Sequence, residues 1–341
     1  MLQLYKKRIE FLDIAKGIAV LLMVIGHTRN IPVELREFIF SFHMPVFFVM
    51  SGYTFKTKSF KAVLTSSFIR LLLPYFVTCF IMLVIYLIRC RLKVNTLFFV
   101  KNYYDLRATL ISYFYGNCKT HKFIIKIPGI EYIWFLNCLF CVRLLFNCIS
   151  RLNICLSGLV CAVCTGLGIL ISKYVWLPFN FDIALTALIF VYAGYLLRKF
   201  DFVNIPFYLL IIFICGWLLY IPFGHIEMAV REYPVMSVIS ALCGSIVFLR
   251  ICLELEKYKH INVFFTFFGK LSLILLCCHN IESYIFSLYK YVESIGNKGF
   301  VVCVCWKLSV SVLMLFIVIL IKQIYERRQY SEKNNCQKGK L

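Results

Sequence analysis

Continuously apolar runs, each closed by a short polar stretch, follow one another from residue 11 to residue 322. None shows the alternation of a lipid-facing strand, so closed barrels are excluded and the runs read as helices. Several approach the ~20 residues that a helix needs to cross a hydrocarbon core. The pattern predicts about ten crossings, at 11–28, 37–55, 68–88, 131–150, 153–172, 181–198, 205–222, 234–253, 262–286 and 300–322. The expected fold class is an all-α, polytopic transmembrane helix bundle. Residues 1–330 form a single integral membrane domain, and 331–341, "SEKNNCQKGKL", are expected to be a disordered cytoplasmic tail.

Basic residues orient this bundle. "YKKR" precedes the first crossing and "KQIYERR" follows the last. An even number of crossings puts both termini on one side, expected to be cytoplasmic, in the cell (inner or plasma) membrane. The connection carrying Lys56, Lys58, Lys61 and Arg70 falls on that side too. Residues 89–130 depart from the rule, because they are basic yet lie outside. An eleventh crossing at 96–116 would flip every later loop, and long loops obey the charge rule less strictly. Phe99, Tyr103, Leu106, Leu110 and Tyr113 fall at helical spacing there, which predicts an amphipathic helix in the outer interface.

Composition narrows the class. Hydrophobic residues make up 62% of the chain and charged ones 16%, with mean hydropathy +0.84. Soluble domains stay near ~45–50% apolar, so no soluble domain of any size is expected. The net charge of +21 invites a nucleic-acid reading. Its Lys and Arg are spread over loops rather than gathered on a module, so membrane lipids and not nucleic acid are the expected surroundings. Most of the 17 Cys lie inside apolar runs and read as small hydrophobes. The C-x-x-C at 138 and 161 have no nearby His at zinc spacing, and no metal is expected. The first apolar run ends in "GHTRN" rather than a cleavage site, so it is expected to be a retained helix. Gly166 and Gly168 are too little for a nucleotide fingerprint and suit close helix packing.

The chemistry is concentrated in "DIAKGIAVLLMVIGH", residues 13–27. On a helix, positions 13, 16, 20, 23 and 27 fall within about 40° of one another. Asp13, Lys16, Val20, Met23 and His27 therefore share one stripe, with Asp13 and Lys16 close enough to pair. Lys16 and His27 are separated by roughly 16 Å along the axis. A charged residue at mid-bilayer costs at least ~2.5–3.5 kcal/mol, so this stripe should face a bundle or a wet cavity. The plainer readings are an interfacial Asp–Lys pair with a snorkelling lysine, and a structural histidine. The second crossing contains "SFHMPVFFVMSGY", where Pro45 frees the carbonyl of Ser41. It returns from outside, so His43 should lie at the depth of His27.

Five segments in order carry a resemblance. They are "RIEFLDIAKGIAVLLMVIGH" with "FSFHMPVFFVMSGYTFK", then "FIRLLLPYF" (68–76), "YIWFLNCLF" (132–140), "LPFNFDIALTALIFVYAGYLLRK" (177–199) and "FFGKLSLILLCCHN" (267–280). Together they resemble the acyltransferase-3 family of integral membrane acyltransferases, over about residues 8 to 320. The branch they most resemble contains fucose 4-O-acetylase-like proteins. The resemblance implies about ten transmembrane helices and transfer of an acyl group, usually acetyl, from acyl-CoA to a glycan hydroxyl. The family's first-helix motif is a basic residue, ten residues, then His, which here is Lys16 and His27. Much of the family has Arg at the basic position, and Lys lacks its bidentate geometry.

Acyl transfer to a hydroxyl needs a base, and neutral imidazole suits that role. His27 is therefore the expected general base, with Lys16 and Asp13 on its stripe; a transient acetyl-His is the variant mechanism. His43 would orient or relay. Acetyl-CoA, or another acyl-CoA, enters as co-substrate rather than as a permanently bound cofactor. Arg70 is the expected holder of its phosphates, while Lys56, Lys58 and Lys61 fit that role or plain positive-inside bias. Trp134 suits a sugar face, or an aromatic belt, and Asn137 suits its hydroxyls. Asp182, Ser272 and His279 would line the acceptor pocket, or act as glue between helices. The acceptor class is a cell-surface glycan or its lipid-linked precursor. The rival readings are a secondary transporter and a flippase-like protein of polysaccharide assembly.

Overall fold

The computed structural model describes residues 9–28, 30–92, 105–122, 126–201, 205–221, 228, 235–286 and 299–338. The first expected crossing is α1 (Glu10–Gly26). The second is two helices, α2 (Val33–Phe40) and α3 (His43–Tyr53), parted at Ser41 and Phe42. Pro45, in the first turn of α3, has no N–H to donate, so the chain cannot run on as one helix there. The break is held by Ser41, whose hydroxyl donates to Phe38 O (2.7 Å) and accepts from Trp217 Nε1 (2.8 Å).

The third crossing starts earlier than its apolar run suggests. Helix α4 (Phe60–Ser67) passes through a π turn, Phe68–Leu72, into α5 (Leu73–Leu92). The cause is Pro74, whose ring crowds the carbonyl of Arg70 four residues back. The ladder re-forms with the longer π spacing, seen in the Leu73 N–H bond to Phe68 O.

Helix α6 (Leu106–Tyr115) occupies part of the long loop between α5 and the Trp134 helix. Its buried residues are Thr109, Ser112 and Tyr113, while Leu106, Leu110 and Phe114 are exposed. The expected stripe therefore does not stay together: Tyr113 turns inward and the two leucines outward. Phe99 and Tyr103 of that stripe lie outside the described residues. After a two-residue antiparallel ribbon (His121–Lys122 with Lys126–Ile127) come α7 (Trp134–Ile149), α8 (Ile154–Tyr174), α9 (Phe181–Lys199), α10 (Phe207–Tyr220) and α11 (Val235–Leu255). Then follow α12 (Lys259–Lys270), α13 (Ser272–Ile285) and α14 (Gly299–Lys338).

The chain is all-α in class. Among the described residues, six helices are long and apolar enough to cross a membrane: Phe60–Arg91, Glu131–Ile149, Ile154–Tyr174, Pro178–Lys199, Val235–Leu255 and Gly299–Gln329. α12 and α13, bent by 65° at Leu271, make a seventh if they are one span. Helix α1 has 17 residues and α10 has 14, both short for an unaided crossing. The polar segment after Tyr330 continues the helix as far as Lys338.

Helix α1 is the hub, packed on α2, α3, α11, α12, α13 and α14. Helices in lipid gain little from hiding apolar surface and associate through close packing of small residues. Here a Cβ on Gly269 would fall 1.7 Å from Asp13 O, and one on Gly17 would fall 2.1 Å from Phe265 O. Those two glycines let the α1 and α12 backbones touch. Of the glycine pair in α8, only Gly168 serves a close approach, to Thr186; Gly166 has nothing within 4 Å. Arg89 accounts for one of the discordant basic residues. Its Nη2 donates to Tyr284 O and Ile285 O, both at 2.9 Å, so its charge caps the C-terminal end of α13.

Candidate active site

The stripe on α1 faces a cavity. Lys16, Val20, Met23 and His27 all line a cavity of about 210 Å³. Asp13 is buried and accepts from Lys16 Nζ at 3.1 Å, which anchors the lysine at the far end of the stripe. The opposite wall is α7, through Trp134, Phe135 and Leu139. Ser272, Leu273 and Leu276 of α13 close one side, and His43, Met44 and Phe47 of α3 another. Leu71 enters from the π turn. Most of the lining is apolar, so the few polar groups in it are set in a medium that strengthens their interactions.

His27 sits at the last turn of α1 as its C-terminal cap, with φ −95° and ψ 12°. Helical geometry ends there, so its ring is held by its neighbours. Phe40 meets it edge-on at 5.3 Å and Tyr132 lies tilted at 4.3 Å. His43 is 6.2 Å away, centroid to centroid, and His279 is 6.5 Å away. Three histidines from α1, α3 and α13 thus converge at one level. His43 is buried, and its Nδ1 lies 3.0 Å from Ile39 O. A carbonyl can only accept, so that contact puts a proton on Nδ1.

The other candidates are distributed unevenly. Trp134 and Ser272 line the cavity, and Ser272 also donates to Gly269 O (3.0 Å) at the bend. His279 is wholly buried behind Tyr132, stacked on it at 4.7 Å. Asn137 is buried against Gly116, where a Cβ would meet its Nδ2 at 2.3 Å, and so packs the loop after α6 onto α7. Asp182 is buried in the first turn of α9, its Oδ1 accepting from Leu177 N at 3.2 Å. Neither Asn137 nor Asp182 lines the cavity. Arg70 is exposed on the π turn, one residue before Leu71.

Sequence reasoning missed Tyr132, Glu282 and Lys307. Lys307 Nζ lies 4.0 Å from Glu282 Oε2 and donates to Ser283 Oγ at 3.1 Å. Glu282 Oε2 is also 3.5 Å from His279 Nδ1. A lysine within "VVCVCWKLSVSV" and a glutamate three residues after His279 were the available signals.

The family model described as an acyltransferase domain matches residues 9–322. The chain belongs to this family. It is a membrane acyltransferase. No curated protein and no solved structure matches it. The matched segment contains every helix that borders the cavity of this acyltransferase, from α1 to α13.

Proposed function

We propose that this acyltransferase moves an acetyl group from acetyl-CoA to a hydroxyl of a cell-surface glycan or its lipid-linked precursor. We place it in the fucose 4-O-acetylase-like branch, with about ten crossings and both termini cytoplasmic. The observation that carries the reading is the single cavity shared by Lys16 and His27. Those residues are roughly 16 Å apart on one helix, about half the ~30 Å hydrocarbon thickness. A donor from the cytoplasm and an acceptor from outside can meet in such a space.

In this reading Arg70 holds the phosphates of acetyl-CoA at the cytoplasmic mouth, and Lys16 guides the thioester arm inward. The acceptor sugar lies against Trp134. His27 takes the proton from its hydroxyl as the oxygen attacks the thioester carbonyl. The tetrahedral intermediate collapses, the C–S bond breaks, and the imidazolium returns the proton to the leaving thiolate. An ester and free coenzyme A result. Asp13 fixes Lys16, and His43 orients the acceptor beside His27.

The test is transfer of radiolabel from acetyl-CoA to a glycan fraction by membranes holding the protein. His27→Gln should remain in the membrane and transfer no label. Undiminished incorporation by that variant would end the assignment of His27 as base.

A further inference from the structure

We infer that Tyr132 is the positioning residue for His27, and that the buried pair of Glu282 and Lys307 exists to hold Tyr132. The inference rests on the reading of His27 as base.

His27 ends its helix, so it lacks the following turn that would fix an interior side chain. Its nearest ring is that of Tyr132, at 4.3 Å. Tyr132 in turn is held by two residues of α13. Asn280 Oδ1 accepts from the backbone N–H groups of Tyr132 (2.7 Å) and Ile133 (3.2 Å). His279 stacks on the face of its ring, 15° from parallel. The residue just before it, Glu131, has φ 57°, a left-handed conformation that a non-glycine residue keeps only where its surroundings impose it.

Behind that platform sits a charge pair. Glu282 is 2% exposed and the side chain of Lys307 16%. Ser283 joins them, donating to Glu282 Oε2 and accepting from Lys307 Nζ, both at 3.1 Å. A buried ion pair adds little to stability over apolar residues of the same volume, so its presence calls for another reason. Glu282 Oε2 lies 3.5 Å from His279 Nδ1, and Lys307 Nζ lies 6.0 Å from the centre of the Tyr132 ring, so the pair sets the tilt of Tyr132 against the imidazole from both sides.

Label transfer from acetyl-CoA, normalised to protein in the membrane, tests this. Tyr132→Leu removes the ring that lies between His27 and His279. Glu282→Gln with Lys307→Met removes both charges together, so no lone ion is stranded. Each should lower the maximal rate by about ten- to a hundredfold, the scale of a misplaced reacting group. The half-saturating acetyl-CoA concentration should stay within a factor of about two, since ground-state donor binding is untouched. Combining all three substitutions should cost no more than the worse of the two alone, because they break one chain of contacts. Wild-type rates in both variants, a shift confined to the acetyl-CoA concentration, or losses that multiply would each overturn the inference while leaving an inactive His27→Gln intact. Activity in His27→Gln would instead remove the functional reading, and this inference with it.

Discussion

A single methyl group on Gly269 should disable the enzyme without touching the cavity. Its carbon would sit 1.7 Å from Asp13 O, 2.6 Å from the Asp13 carbonyl carbon and 3.0 Å from its Cα. All three are backbone atoms, so no side chain can swing aside. Ordinary contact begins near 3.5 Å, and the two helices must part by about 1.5–2 Å at that point. Overpacking of this kind costs about 1–3 kcal/mol. The larger effect falls on chemistry, because α1 carries Asp13, Lys16 and His27. A shift of 1 Å in a reacting group costs about a hundredfold in rate. Gly269→Ala should therefore reach the membrane, melt earlier in detergent, and transfer label from acetyl-CoA about a hundredfold more slowly or worse. Gly166→Ala, where nothing lies within 4 Å, is the control and should behave as wild type. Wild-type transfer by Gly269→Ala would refute the claim that the seating of α1 on α12 sets the site.

Three further outcomes are expected. Arg70→Ala should raise the half-saturating acetyl-CoA concentration by about tenfold, the loss of one charge-assisted contact; an unchanged value would release Arg70 from the donor phosphates. Arg89→Gln should lower the thermal midpoint of the solubilised protein, since its two charged hydrogen bonds to α13 carbonyls are worth about 1.5–3 kcal/mol each; an unmoved midpoint would show the contact to be idle. Trp134→Leu should lower maximal label transfer into glycan and leave the acetyl-CoA dependence alone; a change in that dependence would move Trp134 from the acceptor to the donor.

What could be read in advance followed from local periodicity. The α1 stripe needs only 100° per residue, and four of its five positions line the cavity while the fifth, Asp13, pairs with Lys16. Pro45 marked the break in the second crossing, because a missing N–H is visible in sequence. The depth of His43 followed from chain direction alone. Features built from distant elements were not legible. Nothing around Leu271 announces a 65° bend, since no proline sits there. Asn137 and Asp182 looked like acceptor groups on residue type, yet one packs Gly116 and the other takes the Leu177 N–H. The link from Lys307 to Glu282 to His279 joins α14 to α13, and no spacing rule connects residues so far apart in sequence. Lys307 was nevertheless visible as a charge within an apolar run, which at membrane depth is itself a signal.

The central claim is that the imidazole of His27 faces the donor's carbonyl inside this cavity. A cryo-EM structure of the protein with a non-reactive acetyl-CoA analogue, its thioester sulfur replaced by methylene, tests it directly. The analogue's carbonyl carbon should lie beside His27, close enough for a hydroxyl to fit between them, with the nucleotide at the mouth near Arg70. An analogue seated elsewhere, or a His27 ring turned to lipid with it bound, would rule out His27 as the base.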